Sequence, residues 1–368
     1  MEQPPEDRSS ASTNGADEDG RLGPQLVEAS PERGFHYPYF IHAPPAAHCG
    51  PSQPLLVEPA SVAQPMDDFE EQVALAGRRA EGGTGRRIAD ELGVPFLTPV
   101  FPRPVSEPVD WRHYVHSLDV ETLAIDDGPL ERVDRQLLRM VDDARSRLAE
   151  RDVSVSEEFA LNGFSASGTF ATRFATIHPE RVLSVSAGGL NGMVPLPRET
   201  IDGRTLPYPI GVGDLEAVVG DPFDPEAFCD VHQFLYLGAV DDNDTIPYPD
   251  AWTDGELART ALDVYGCDIH EERFPYCKAV YEGVDAPAIF KRYPGAGHEP
   301  IPAEADIVEF HRRCIAGEDV ESIRRAVGEN VEGRAAPSCS VRSRRSILGK
   351  RSLITAATRL YFGFRRVR

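Results

Sequence analysis

Gly163-Phe164-Ser165-Ala166-Ser167-Gly168 is the stretch on which the reading of this chain turns. The run before it, Glu157 to Phe164, carries Phe159, Ala160 and Leu161 and reads as a buried strand. The run after it, Gly168 to Ile177, reads as a helix. A serine among small residues at a strand-to-helix junction is the pattern of a nucleophile elbow. So tight a turn admits only small neighbours, and it lifts the hydroxyl clear of the sheet edge. Glycine usually stands two residues after such a serine; here the position is Ser167. A Gly/Ser-rich loop without chemistry is the plain alternative for the same six residues.

The flanking segments place the elbow in a layered fold. Upstream, Phe35 to His42 and Pro54 to Val57 read as strands, and Asp67-Asp68 caps a helix carrying Phe69, Val73 and Ala76. Val94 to Phe101 is a further strand, closed by Pro102-Arg103-Pro104. Asp127-Gly128-Pro129 predicts the start of an amphipathic helix, with Leu130, Val133, Leu137, Val141 and Ala144 on one face. Downstream come strands over Arg181 to Ala187, Gln233 to Val240 and Ala288 to Tyr293. Strands alternating with helices predict an α/β fold: a doubly wound, mostly parallel sheet. The Pro- and Gly-rich stretch 192–231 is too long for a simple crossover and reads as a cap insertion. Residues 246–269 form a second insertion, with weak helix around Glu256 to Val264.

The 368 residues fit one large α/β domain or two small ones, and the net charge of −22 makes a cationic nucleic-acid footprint implausible. Only Lys278, Lys291 and Lys350 are lysines among 38 basic residues. An acidic, lysine-poor surface suits a salt-rich cytoplasm such as haloarchaea maintain. Residues 1–33 read as a disordered acidic arm and lack the basic start and apolar core of a secretory signal, so a cytoplasmic location is expected. No stretch approaches the roughly 20 apolar residues of a membrane span. The ordered domain is expected over 34–316, followed by an extension over 317–368 that is basic from 333. That tail folds back on the acidic body or, as a second option, touches an anionic membrane surface. Cys49, Cys229, Cys267, Cys277, Cys314 and Cys339 are scattered without metal spacing and read as free thiols.

A serine hydroxyl needs a base to take its proton and an acid to hold that base. In a sheet of this kind they follow the serine in the order acid, then histidine, on loops after later strands. The strand at Gln233 to Val240 runs into Asp241-Asp242-Asn243-Asp244, and that at Ala288 to Tyr293 into Pro294-Gly295-Ala296-Gly297-His298. His298 is the histidine so placed; His113 and His116 precede the elbow and His311 lies in a helix. Asp241 is favoured as the acid because it sits just past the strand tip, with Asp244 in reserve. For the developing oxyanion the backbone N–H of Ala166 is one expected donor. The second comes from the loop after Val100, where Pro102 and Pro104 have no N–H; Phe101 is preferred over Arg103.

With these residues in place, the chain resembles the α/β-hydrolase superfamily over roughly residues 34–316, and within it the serine esterase, polyester-depolymerase and feruloyl-esterase-like group. The resemblance rests on PVFPRP, GFSASG, GAVDDND and YPGAGH, in the expected order. It implies a Ser165–His298–Asp241 triad acting on a small-molecule ester through an acyl-enzyme, with no metal or organic cofactor. The same triad serves peptidases and amidases. A catalytically silent binding protein on the same fold is the reading from another class.

Overall fold

The structure, a computed structural model, describes residues 22–48, 52–59, 65–106, 115–246, 252 and 254–335. The tail beyond 335, most of the acidic arm, Cys49, Cys339 and His113 lie outside the described residues.

Side chains along the elbow strand alternate as a strand covered on both faces requires. Phe159 and Leu161 enter one apolar cluster and Ala160 the other. Leu235 and Leu237 part from Phe234 and Tyr236 in the same way. The sheet has eight strands: β1 (Leu22–Val27), β2 (Tyr39–Ala43), β3 (Leu56–Val57), β4 (Phe96–Pro99), β5 (Phe159–Phe164), β6 (Val182–Gly188), β7 (His232–Gly238) and β8 (Ala288–Tyr293). Their spatial order is β1-β2-β4-β3-β5-β6-β7-β8. β2 runs antiparallel to both its neighbours, and every other pairing from β4 to β8 is parallel.

Between β3 and β4 lie α1 (Phe69–Gly82) and α2 (Thr84–Leu92); between β4 and β5, α3 (Val120–Leu123) and α4 (Val133–Ala149). Helix α5 (Ala166–Ile177) joins β5 to β6. The β6–β7 connection holds α6 (Leu215–Val219) and α7 (Pro225–Asp230), and the β7–β8 connection α8 (Gly255–Tyr265) and α9 (Phe274–Glu282). Helices α10 (Glu304–Ile315) and α11 (Val320–Val327) follow β8. Leu137 and Val141 of α4, Phe170 and Phe174 of α5 and Phe274 of α9 share one face of the sheet. Ile88 of α2, Ile307 and Phe310 of α10 and Ile323 of α11 cover the other. This is the doubly wound, mostly parallel arrangement expected.

Three boundaries differ from expectation. Order among the described residues begins at Leu22, not Gly34: β1 pairs with β2 over Val27↔Tyr39 to Leu22↔Ala43, so the arm stops short of residue 33. At the other end α11 buries Ile323 and Val327 completely or nearly so, and residues 317–331 belong to the body rather than to an extension. Helix α4 starts at Val133, behind Arg132 at φ 44°, and Pro129 is not its first residue. Gln136 donates to the carbonyls of Pro129 and Glu131, which holds those residues in the turn ahead of the helix.

The cap insertion carries a short hairpin, Thr200–Ile201 against Arg204–Thr205, besides α6 and α7. Its Leu196, Leu206, Tyr208, Ile210 and Phe228 join the main core. Three tyrosine hydroxyls tie it down: Tyr208 donates to Leu118 O at 2.9 Å, Tyr281 to Pro195 O at 2.9 Å, and Tyr265 to Val194 O at 2.7 Å. Cys229, Cys277 and Cys314 are free thiols, as expected. Cys267 departs from that expectation: it is disulfide-bonded.

Candidate active site

Ser165 sits between β5 and α5 at φ 58°, ψ −125°, a conformation that costs a side-chain-bearing residue on the order of 1–3 kcal/mol. The elbow is closed by contacts that leave no room beside it. A Cβ on Gly163 would stand 2.3 Å from the Ser167 carbonyl oxygen. Ser165 N–H is anchored to Gly188 O at 2.8 Å, which fixes the turn against β6. Ser167, the departure from the usual signature, has a job of its own. Its hydroxyl donates to Phe164 O at 2.9 Å and accepts from Phe164 N–H at 3.0 Å, stapling the turn that precedes the nucleophile.

The acid and the base arrive on two loops stitched to one another. Ala239 N–H donates to Tyr293 O at 2.9 Å, and Val240 N–H to Ala296 O at 3.0 Å. Gly238 makes this approach possible, because a Cβ there would meet Gly297 O at 2.1 Å. Asp241 Oδ2 then lies 2.8 Å from His298 Nδ1. The carboxyl is 4% exposed. Burial alone pushes it up, but the His298 hydrogen bond, the Asn243 N–H at 3.0 Å and the nearby His298 and His270 rings outweigh that and hold it below the usual carboxylate range. A carboxylate only accepts, so Nδ1 of His298 carries the proton and Nε2 keeps its lone pair.

That lone pair faces Asn243, whose side-chain amide stands 3.2 Å from Nε2. Among the described residues no hydrogen bond joins Ser165 to His298. The ring nonetheless packs over the elbow, 4.7 Å between centroids from Phe164. The structure thus brings Asp241 to His298, sets His298 above the elbow, and leaves the last link of the expected relay open.

The other expected residues sort cleanly. Asp244 is held by both terminal nitrogens of buried Arg273, at 3.1 Å each, and caps Ile246 N–H; it is spent on structure. Asp242 is exposed. His311 is buried between Ser184 and Ser186 under the sheet, and burial pushes it down to about 3. His116 is buried as well and hydrogen-bonds Phe101 O at 3.0 Å; burial and the charge of Arg103 lower it to about 3. Arg103 N–H is committed to Gln72 Oε1 at 3.0 Å, which removes it as an oxyanion donor. Among the described residues the backbone N–H groups of Ala166 and Phe101 have no acceptor. Phe101 is 3% exposed and its ring stacks on Phe170 of α5, but it does not line the cavity beside Ser165.

That cavity holds about 60 Å³ and runs from Ser165 and Ala166 along α5 past Thr169 to Arg173, under the cap residues Val194, Pro195 and Pro209. The sequence reading missed Arg173. Its signal was present: positions 165, 169 and 173 recur at four-residue spacing and share one helix face.

Sheet order, elbow and cap together define an architecture of α/β-hydrolase type. Among solved structures the chain is similar to poly(aspartic acid) hydrolase-1 from Sphingomonas sp. KT-1, at 18% identity over 80% of this chain and 99% of that one, with a TM-score of 0.49. It is similar to an S-formylglutathione hydrolase from Agrobacterium tumefaciens at 14% identity over 80% and 96%, TM-score 0.44. A poly(3-hydroxybutyrate) depolymerase from Bordetella parapertussis gives 17% identity over 84% and 96%, TM-score 0.45. No family model and no curated protein matches the sequence.

Proposed function

We propose that this chain is a serine hydrolase that cleaves carboxylic esters of small molecules through an acyl-enzyme on Ser165. The observation that carries the reading is the pairing of a serine held in a strained elbow at φ 58° with an imidazole–carboxylate pair packed over that elbow. Strain at a non-glycine residue persists only where its surroundings impose it, and it clusters at functional sites.

In this reading Ser165 Oγ attacks the ester carbonyl carbon as its proton passes to His298 Nε2. Asp241 holds the ring and stabilises its charged form. The oxyanion is met by the Ala166 N–H and by the Phe101 N–H, two donors without an acceptor among the described residues. Collapse breaks the bond to the alcohol oxygen, which takes the proton from His298. Water then repeats the sequence: its proton goes to His298, its oxygen attacks the acyl carbon, and Ser165 leaves with the proton restored.

A fluorophosphonate probe labels the wild-type protein at Ser165 and leaves Ser165→Ala unlabelled. Undiminished labelling of the variant moves the nucleophile elsewhere, and faster turnover of nitroanilides than of nitrophenyl esters overturns the ester preference. The acidic surface supports work in a salt-rich solution, while a disulfide at Cys267 weighs against a reducing cytoplasm.

A further inference from the structure

Among the described residues the cavity beside Ser165 holds one charged side chain, in a protein whose net charge is −22. Arg173 is 8% exposed and lies on the α5 face that carries Ser165 and Thr169. One terminal nitrogen, NH1, donates to Ser117 O at 2.7 Å. Among the described residues no carboxylate pairs with it, and the cavity lining contains no aspartate or glutamate. The described lining around it is neutral: hydroxyl groups such as Thr169, Thr172 and Tyr265, the amide of Asn191, and apolar side chains. Arg273, another buried arginine, is matched by Asp244. A guanidinium kept so far from water, with no paired carboxylate among the described residues, has its remaining donors to offer to one brought from outside.

We infer that Arg173 binds a carboxylate on the acyl side of the substrate, so that the preferred esters are monoesters of short dicarboxylic acids. The inference rests on the proposed ester chemistry and adds its substrate class. The side follows from the site itself. The alcohol must depart toward the imidazole that protonates it, whereas this cavity is lined by Ser165 and Ala166 and not by His298. What enters it is the acyl portion.

Length follows from the helix. Positions 165 and 173 are separated by about 12 Å along the axis at 1.5 Å per residue. A long side chain leans back toward the helix N-terminus, which brings the guanidinium toward the serine. A volume of about 60 Å³ leaves room for roughly four or five water-sized groups. Two methylenes and a carboxylate beyond the ester carbonyl fill that space, as in a succinyl group.

The test compares kcat/KM for monoethyl and diethyl esters of malonic, succinic, glutaric and adipic acids, with ethyl hydrogen succinate as the central probe. The wild-type protein favours the monoester of succinate or glutarate over the diester by about 10- to 100-fold, the range that hydrogen bonds to a charged group supply. In Arg173→Met that ratio falls to near 1, and in Arg173→Lys it lies between. Esters of ethanol-sized acids whose carboxylate sits on the alcohol side, such as acetylated glycolate, gain no such advantage. Free succinate competes with the monoester and succinamide does not, a wild-type measurement that decides the matter even where the Arg173 variants fail to fold. A wild-type ratio near 1, an Arg173→Met protein that keeps the ratio, or an advantage confined to alcohol-side carboxylates overturns the inference. Loss of all ester turnover together with absent fluorophosphonate labelling overturns instead the hydrolase reading beneath it.

Discussion

Replacing Asn243 by alanine is expected to speed acylation. The side-chain amide of Asn243 stands 3.2 Å from His298 Nε2, the atom that receives the serine proton in the proposed mechanism. The ring has to surrender that hydrogen bond before it can serve Ser165, and its free energy is added to the barrier. A neutral hydrogen bond of this length is worth about 0.5–1.5 kcal/mol net, which at 1.36 kcal/mol per decade is a factor of roughly 2 to 12 in rate. The backbone N–H of Asn243, which caps Asp241 Oδ1 at 3.0 Å, survives the substitution, so the acid keeps its hold on the ring. Stopped-flow acylation with a nitrophenyl ester gives the burst rate directly, free of deacylation and product release. Asn243→Ala raises that rate within the stated range at saturating ester. A burst rate unchanged or reduced in the variant refutes the competition and makes Asn243 a group that positions the ring.

Two further outcomes concern the scaffold. Ser167→Ala leaves the Phe164 N–H without its 3.0 Å acceptor and lowers stability by about 1 kcal/mol, seen as a lower denaturation midpoint at unchanged slope; an unmoved midpoint removes the staple. Glu58, hydrogen-bonded by Asn162 under the sheet, is pushed by burial from the ordinary 4.5 up to about 7. Between those values the unfolded chain releases its proton before the folded one does, so stability falls as pH rises from 4.5 to 7. Glu58→Gln, neutral throughout, abolishes that loss: its stability advantage over wild type, followed as a Tm difference, opens across this window, reaches at most about 3 kcal/mol, and is flat above it. A Tm difference independent of pH overturns the assignment.

Much of the fold could be read from the chain because its strands are buried on both faces and stand out as apolar runs between turn residues. Ala288 to Tyr293 was legible to the residue, and β5, β6 and β7 to within two or three. β1 was not, since Leu-Gly-Pro-Gln-Leu-Val contains two residues that punctuate strands and follows a polar arm; its pairing with β2 supplies what local preference does not. Ser165 and His298 were legible from order and spacing. Asp241 is favoured over Asp244 by its place just past the strand tip; what the sequence does not show is that Arg273, 29 positions beyond Asp244, claims the latter carboxylate. Such a long-range partner leaves no trace in the local pattern. Arg173 was hidden for another reason: an arginine in an amphipathic helix reads as solvent-facing until the cap that covers it is in view.

The loops bearing Asp241 and His298 are fastened to each other by main-chain bonds, while the nucleophile belongs to a separate junction between β5 and α5. In the proposed chemistry the centre therefore has two parts rather than three, a proton-handling unit and an attacking unit. Under that proposal, variation in either insertion retunes their spacing without dismantling the pair, and reactivity follows from a single gap between them.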